Sequence, residues 1–123
     1  MKFTKENVGR DAQVIRSHAA GRVTVNDVTL TRSFIVAGDK LVPDWPPQRF
    51  EDITAEHLKA ALALDPEVLL IGTGDKQRFL TGEMMGALNR GIMGVEVMDT
   101  AAACRTYNVL LSEGRKVVAA ILV

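Results

Sequence analysis

The sequence predicts an α/β fold: a three-layer core of alternating strands and helices, with N-terminal β-hairpins added as a further β layer. Three observations carry that prediction. Glu67-Val-Leu-Leu-Ile-Gly-Thr-Gly74 reads as an apolar strand that runs into a tight glycine turn. Its Val, Leu and Ile residues do not alternate with polar ones, which is the pattern of a strand covered on both faces. Downstream of it strand, turn and helix recur; upstream, short alternating segments are separated by turn residues.

The bulk composition is consistent with this. A chain of 123 residues, 47% of them hydrophobic, can bury a core without disulfides or metals. Fifteen basic and fifteen acidic residues cancel. A domain built to grip nucleic acid usually carries a basic excess, because neutralising phosphates drives that affinity, so nucleic acid is not an expected partner. The one cysteine, Cys104, cannot form an internal disulfide, which fits a reducing compartment such as the cytoplasm. The first residues lack the apolar stretch of a signal peptide. Val117 to Val123 is the longest apolar run and falls well short of the roughly 20 residues of a membrane span.

In chain order, residues 1–12 are polar and aperiodic and read as a flexible arm, leaving 13–123 as a single α/β domain. Val14 and Ile15 start the strands. Val23-Thr-Val25 and Val28-Thr-Leu30 flank Asn26-Asp27, a hairpin turn whose residues tolerate left-handed backbone. Ser33 to Ala37 is a further strand, and Leu41-Val42 a short one. Pro43-Asp-Trp-Pro-Pro47 excludes helix and central strand, because proline fixes φ and removes donors. It holds Trp45 in a defined place, read first as a lid on the core. Thr54 caps a helix buried through Leu58, Ala61 and Leu62, which ends at Asp65-Pro66. After Gly74 come a polar loop and a helix from Gly82 to about Arg90, with Gly91 beyond it. Gly94 to Met98 is a strand, expected in the centre of the sheet. Asp99 or Thr100 caps the longest helix, whose apolar stripe is Ala103, Cys104, Tyr107, Leu110 and Leu111. Gly114 stops it, and Lys116 to Leu122 is the closing strand.

The Gly72-Thr73-Gly74 turn is the strongest candidate site, since glycines at a strand's carboxyl end let backbone N–H groups approach an anion. It is only part of a dinucleotide fingerprint. Gln77 stands where the third glycine belongs, and the helix starts too late. A Gly-Lys-Ser/Thr phosphate loop is absent as well. Asp99 and Thr100 open the next helix and Asn108 lies within it; with Trp45 as a stacking wall they would complete a pocket for a small anionic or nucleotide-like ligand. Lys76 and Arg78 would stand behind an anion there. Glu96, inside a strand, would need a partner if buried, and Arg115 or Arg105 could provide it. Cys104 lies on the apolar stripe as an inert thiol. His18 and His57 have neither metal-ligand spacing nor a cysteine partner, so no metal is expected. A Gly-x-Ser-x-Gly elbow is absent, and no catalytic constellation or cofactor motif emerges.

The motif order Leu-Leu-Ile-Gly-Thr-Gly at 69–74, Gly-Val-Glu-Val-Met-Asp-Thr at 94–100, Ala-Ala-Cys-Arg-Thr-Tyr-Asn at 102–108 and Glu-Gly-Arg at 113–115 resembles a known family. It is domain-of-unknown-function family 498, which includes mitochondrial NADH dehydrogenase (complex I) alpha subcomplex assembly factor 3. Gly21-x-Val-x-Val25, Ser33-Phe-Ile-Val36 and Trp45 extend the resemblance upstream, more loosely. It implies a mixed central sheet of five strands, one antiparallel to the others, with extra β structure. It also implies no established enzymatic activity or cofactor. The expected role is a non-enzymatic assembly or interaction module, with a respiratory-complex subunit or assembly factor as partner.

Overall fold

The computed structural model describes residues 12–88 and 94–123. Residues 1–11 of the expected arm lie outside the described residues, as do Arg90 and Gly91 at the expected end of the second helix. Ala12, assigned to the arm, packs against the core, and its carbonyl accepts from Asn26 Nδ2 at 3.0 Å.

Eight strands and three α-helices make up the described chain. β1 (Ile15–Ala19), β2 (Arg22–Val25) and β3 (Val28–Leu30) form an antiparallel sheet in that order. The Asn26-Asp27 turn joins β2 to β3 as its residues predict, with Asn26 at φ 49. A second sheet contains β4 (Phe34–Ala37), β5 (Lys40–Val42), β6 (Val68–Gly72), β7 (Gly94–Met98) and β8 (Val117–Ile121), in the order β5-β4-β8-β6-β7. β4 runs antiparallel to both neighbours, whereas β6 is parallel to β7 and β8. One strand of five is therefore antiparallel to the rest.

The register of β6, β8 and β4 explains why their sequences do not alternate. Val68 and Leu70 join Val117, Ala119, Ile121, Phe34 and Val36 in one core cluster. The intervening Leu69, Ile71, Val118, Ala120 and Ile35 join the other. Side chains of opposite parity leave a strand on opposite faces, so a strand buried twice must be apolar throughout. The first cluster also takes Val23, Val25 and Leu30 of the small sheet with Ala103, Cys104, Tyr107 and Leu111 of α3 (Thr100–Ser112). The second takes Trp45, with Leu58 and Ala61 of α1 (Ala55–Leu62) and Leu88 of α2 (Gly82–Leu88).

The starts of α1 and α3 each have a local cause. Thr54 caps α1 in a reciprocal box: its hydroxyl accepts from His57 N at 3.3 Å, and His57 Nδ1 accepts from Thr54 N at 3.1 Å. α1 gives way to Asp65, at φ 58, ahead of Pro66. Asp99 caps α3 through Ala102 N at 2.8 Å, and Gly114 at φ 78 follows its end.

One expectation fails here. β7 is the edge of the sheet, not its centre, and Glu96 points from it into solvent. A carboxylate is tolerated on an edge strand because water solvates it, and it needs no buried partner.

Candidate functional site

A cleft of about 660 Å³ opens at the carboxyl end of β6, where an α/β sheet is expected to present one. Thr73, Gly74 and Asp75 form one wall and Asp99, Thr100 and Ala101 at the start of α3 another. The turn between β1 and β2, with His18 and Gly21, closes a third side. Gln48 to Glu51 and Arg78 supply the outer rim.

The turn is held by its own hydrogen bonds. Thr100 Oγ1 accepts from Gly74 N at 2.9 Å and donates to the Leu122 carbonyl. Thr100 N returns to the Gly74 carbonyl at 2.9 Å, and Thr73 N donates to the Met98 carbonyl at 2.9 Å. The Thr73 hydroxyl donates to the Lys76 carbonyl. These bonds tie the ends of β6, β7 and β8 to the first residue of α3, and they engage the Thr73 and Gly74 amides and both threonine hydroxyls. Asp99 places a carboxylate at the helix start, where an incoming anion would have to sit.

The two glycines of the turn have different reasons. A Cβ on Gly72 would lie 2.9 Å from Ile121 Cδ1, 3.1 Å from Thr100 Oγ1 and 3.2 Å from Ala103 Cβ, so its absence lets α3 lie close on β6. Gly74 has open space around it but sits at φ +96, backbone that side chains resist.

Of the residues singled out from sequence, Gly72, Thr73, Gly74, Asp99 and Thr100 come together at this edge. The other four scatter. Trp45 is 1% exposed in the second core cluster, and its indole N–H donates to the His57 carbonyl at 3.0 Å. It is a lid on the core, as first read, and does not line the cleft. Asn108 is spent on β1, accepting from Ile15 N at 3.1 Å and donating to the Ile15 carbonyl at 2.7 Å. Arg115 lies beyond the opposite end of β6, where its Nε donates to Glu67 Oε1 at 3.0 Å. That bond holds the Glu67 carboxyl below its usual range. Neither Arg115 nor Arg105 is needed by Glu96, which is exposed.

Of the rim, sequence reasoning named Arg78 and missed Gln48 to Glu51. Arg49 forms an ion pair with Asp52 at 3.3 Å, and Arg78 stands 3.9 Å from Glu51. The bond to Asp52 raises the Arg49 guanidinium above its ordinary value. The cleft thus carries both signs, with Glu51, Asp75 and Asp99 lining it beside the two arginines. Nothing local in the Pro46-Pro-Gln-Arg49 run signals that it folds back over residue 74. That closure is a long-range contact, made by the chain returning from β5. Among the described residues, no group of three or more His, Cys, Asp or Glu could hold a metal ion. No helix among them is long and apolar enough to cross a membrane.

Comparison with known proteins finds relatives over nearly all of this fold. A family model described as a protein of unknown function (DUF498/DUF598) matches residues 15–122. NADH dehydrogenase [ubiquinone] 1 alpha subcomplex assembly factor 3 of Xenopus tropicalis is 35% identical over 104 residues, covering 75% of this chain and 57% of that protein. The 13 kDa major membrane protein of Francisella tularensis subsp. holarctica (strain LVS) is 39% identical over 67 residues, 54% of each chain. The chain thus spans little more than half the length of these curated relatives. A crystal structure of a protein from Bordetella parapertussis superposes with a TM-score of 0.84 at 43% identity, covering 92% of this chain and 97% of that one.

Proposed function

The chain belongs to the DUF498/DUF598 family, and on that premise we propose that it is a non-enzymatic interaction module that assists assembly of an NADH dehydrogenase-type respiratory complex. The observation that carries the proposal is the alignment with assembly factor 3 across 75% of the chain. The geometry supports it by what the cleft does with its polar groups. The Thr73 and Thr100 hydroxyls and the Gly74 amide are spent inside the fold, and the charges left on the rim are exposed and of both signs. Such a rim suits a protein surface better than a small anion, because exposed charges steer and register a partner more than they bind a small ligand.

In this reading the module works from the cytoplasm and docks on subunits of the complex as they are joined. The two core clusters on opposite sides of the five-stranded sheet support the three-layer arrangement, which makes a rigid platform for docking. The test is purification of the tagged chain from its own cells, with and without cross-linking, and quantitation of NADH dehydrogenase subunits against an untagged control. Enrichment of those subunits is expected. Recovery no higher than the control in both conditions overturns the proposal.

A further inference from the structure

The two sheets end in four strand edges, and three are blunted. β5 is three residues long, begins on Lys40 and is followed by Pro43. β3 is equally short. β1 is interrupted by a bulge between Ile15 and Ser17, and the Asn108 amide occupies both backbone groups of Ile15. Short length, lysine, proline, bulges and capping side chains are the usual means of stopping a sheet from growing. β7 has neither lysine nor proline nor a bulge, and carries one charge, Glu96. It is a five-residue strand paired on one side, with β6, among the described residues.

The backbone of β7 says what could pair with it. The Met98 carbonyl faces β6, where Thr73 N donates to it, so by alternation the N–H and C=O of Val95 and Val97 point outward. Among the described residues the one group that reaches them is Gln77, whose Nε2 stands a long 3.5 Å from the Val97 carbonyl. That contact brings the 75–79 loop to this edge, and Phe79 on the same loop is 78% exposed. Glu96 stands exposed at the middle of the strand. A second copy of the chain is a poor occupant. The antiparallel register that pairs all five residues would set Glu96 directly against Glu96 of the other copy, and like charges directly opposed destabilise a ladder.

We propose that the outer edge of β7 is a strand-addition site that takes an extended segment of a partner protein, with a lysine or arginine opposite Glu96 and apolar residues flanking it. The outward Val95 and Val97 groups supply main-chain hydrogen bonds, Glu96 selects the basic residue, and Phe79 covers apolar side chains of the guest. The inference deepens the assembly reading and rests on it for its biology, but the edge can be tested alone.

The probe is a synthetic peptide, Thr-Val-Thr-Val-Lys-Val-Thr-Val-Thr, beside a version with Glu in place of Lys. The readouts are amide exchange at Val95 and Val97 and peptide affinity, measured on the full chain. The Lys peptide should bind and slow exchange at both amides, and the Glu peptide should bind at least about tenfold more weakly. Val97→Pro removes an outward N–H, a change that edge strands accept; Val97 also packs against the second core cluster, so the variant should fold with a lowered melting temperature and, while folded, lose about tenfold or more in affinity. Gln77→Ala, which leaves the β7 backbone alone, should bind the peptide at least as well as the parent. The proposal is overturned if the Lys peptide does not bind at millimolar concentration, if it binds without protecting Val95 and Val97, or if Val97→Pro folds and binds as before. It is equally overturned if the chain alone forms a dimer that protects those amides. If Val97→Pro loses the peptide but still enriches NADH dehydrogenase subunits, the assembly reading stands and this edge is not its docking site.

Discussion

At the scale of single residues, Gly72 and Cys104 make separate and measurable contributions. Gly72 was read from sequence as part of a ligand loop, and the structure shows that its missing side chain makes room for Ile121, Thr100 and Ala103. The neighbours are a packed core and a helix start, which give little, so Gly72→Ala should cost about 1–3 kcal/mol in denaturant unfolding. A loss below about 0.5 kcal/mol would mean that α3 can move away from β6 freely. Cys104 is buried on the apolar stripe, and burial pushes its thiol from 9.0 up to about 11. A folded-state value raised above the unfolded one favours the fold while the thiol is protonated, and that contribution drains away as pH rises from 9.0 through about 11. Wild type should therefore lose about 2–3 kcal/mol more than Cys104→Ala between about pH 8 and about pH 11. Equal losses in the two proteins would show that the thiol meets water in the native state.

At the scale of elements, the short-range grammar was legible and the long-range pairing was not. The Asn26-Asp27 hairpin, the Thr54 cap, the Asp65-Pro66 stop and the Gly114 end are each set by the backbone preference of one or two residues, and all are where those preferences put them. Glu96 shows the limit. Gly94 to Met98 reads as a strand in any context, but whether a strand is central or an edge depends on which strand lies beside it, and that is decided by segments far away in sequence. Asn108 was likewise misplaced as a pocket group, as was Trp45 in its second reading as a stacking wall, because their partners, the backbone of Ile15 and the His57 carbonyl, are contacts that no local spacing encodes. The capping box of α1 gives this scale its test. Thr54→Ala removes the hydroxyl that satisfies His57 N and should destabilise the protein by about 1 kcal/mol, with Thr54→Ser nearly neutral. Equal losses for Ala and Ser would assign the effect to the methyl group instead of the cap.

At the scale of the whole molecule, the mixed five-stranded sheet followed from family resemblance, whereas the apolar runs alone predicted only an α/β core. The candidate site was half legible. The carboxyl end of β6 was the right place for a cleft, but its walls include the β1–β2 turn and the Arg49 rim, which only the folded chain brings there. The same folding turns the Gly72-Thr73-Gly74 motif from an apparent ligand loop into a junction that ties β6, β7, β8 and α3 together. A turn whose threonine hydroxyls are spent inside the fold, a cleft rimmed by charges of both signs and a β7 edge unpaired on its outer side among the described residues fit the proposed role of meeting other proteins. The most direct test of that account is the amount of fully assembled NADH dehydrogenase, resolved on native gels, in cells lacking this chain. The account predicts a reduced mature complex with subassemblies accumulating, restored by re-expressing the wild-type chain. A mature complex of unchanged amount, with no subassemblies, would contradict it.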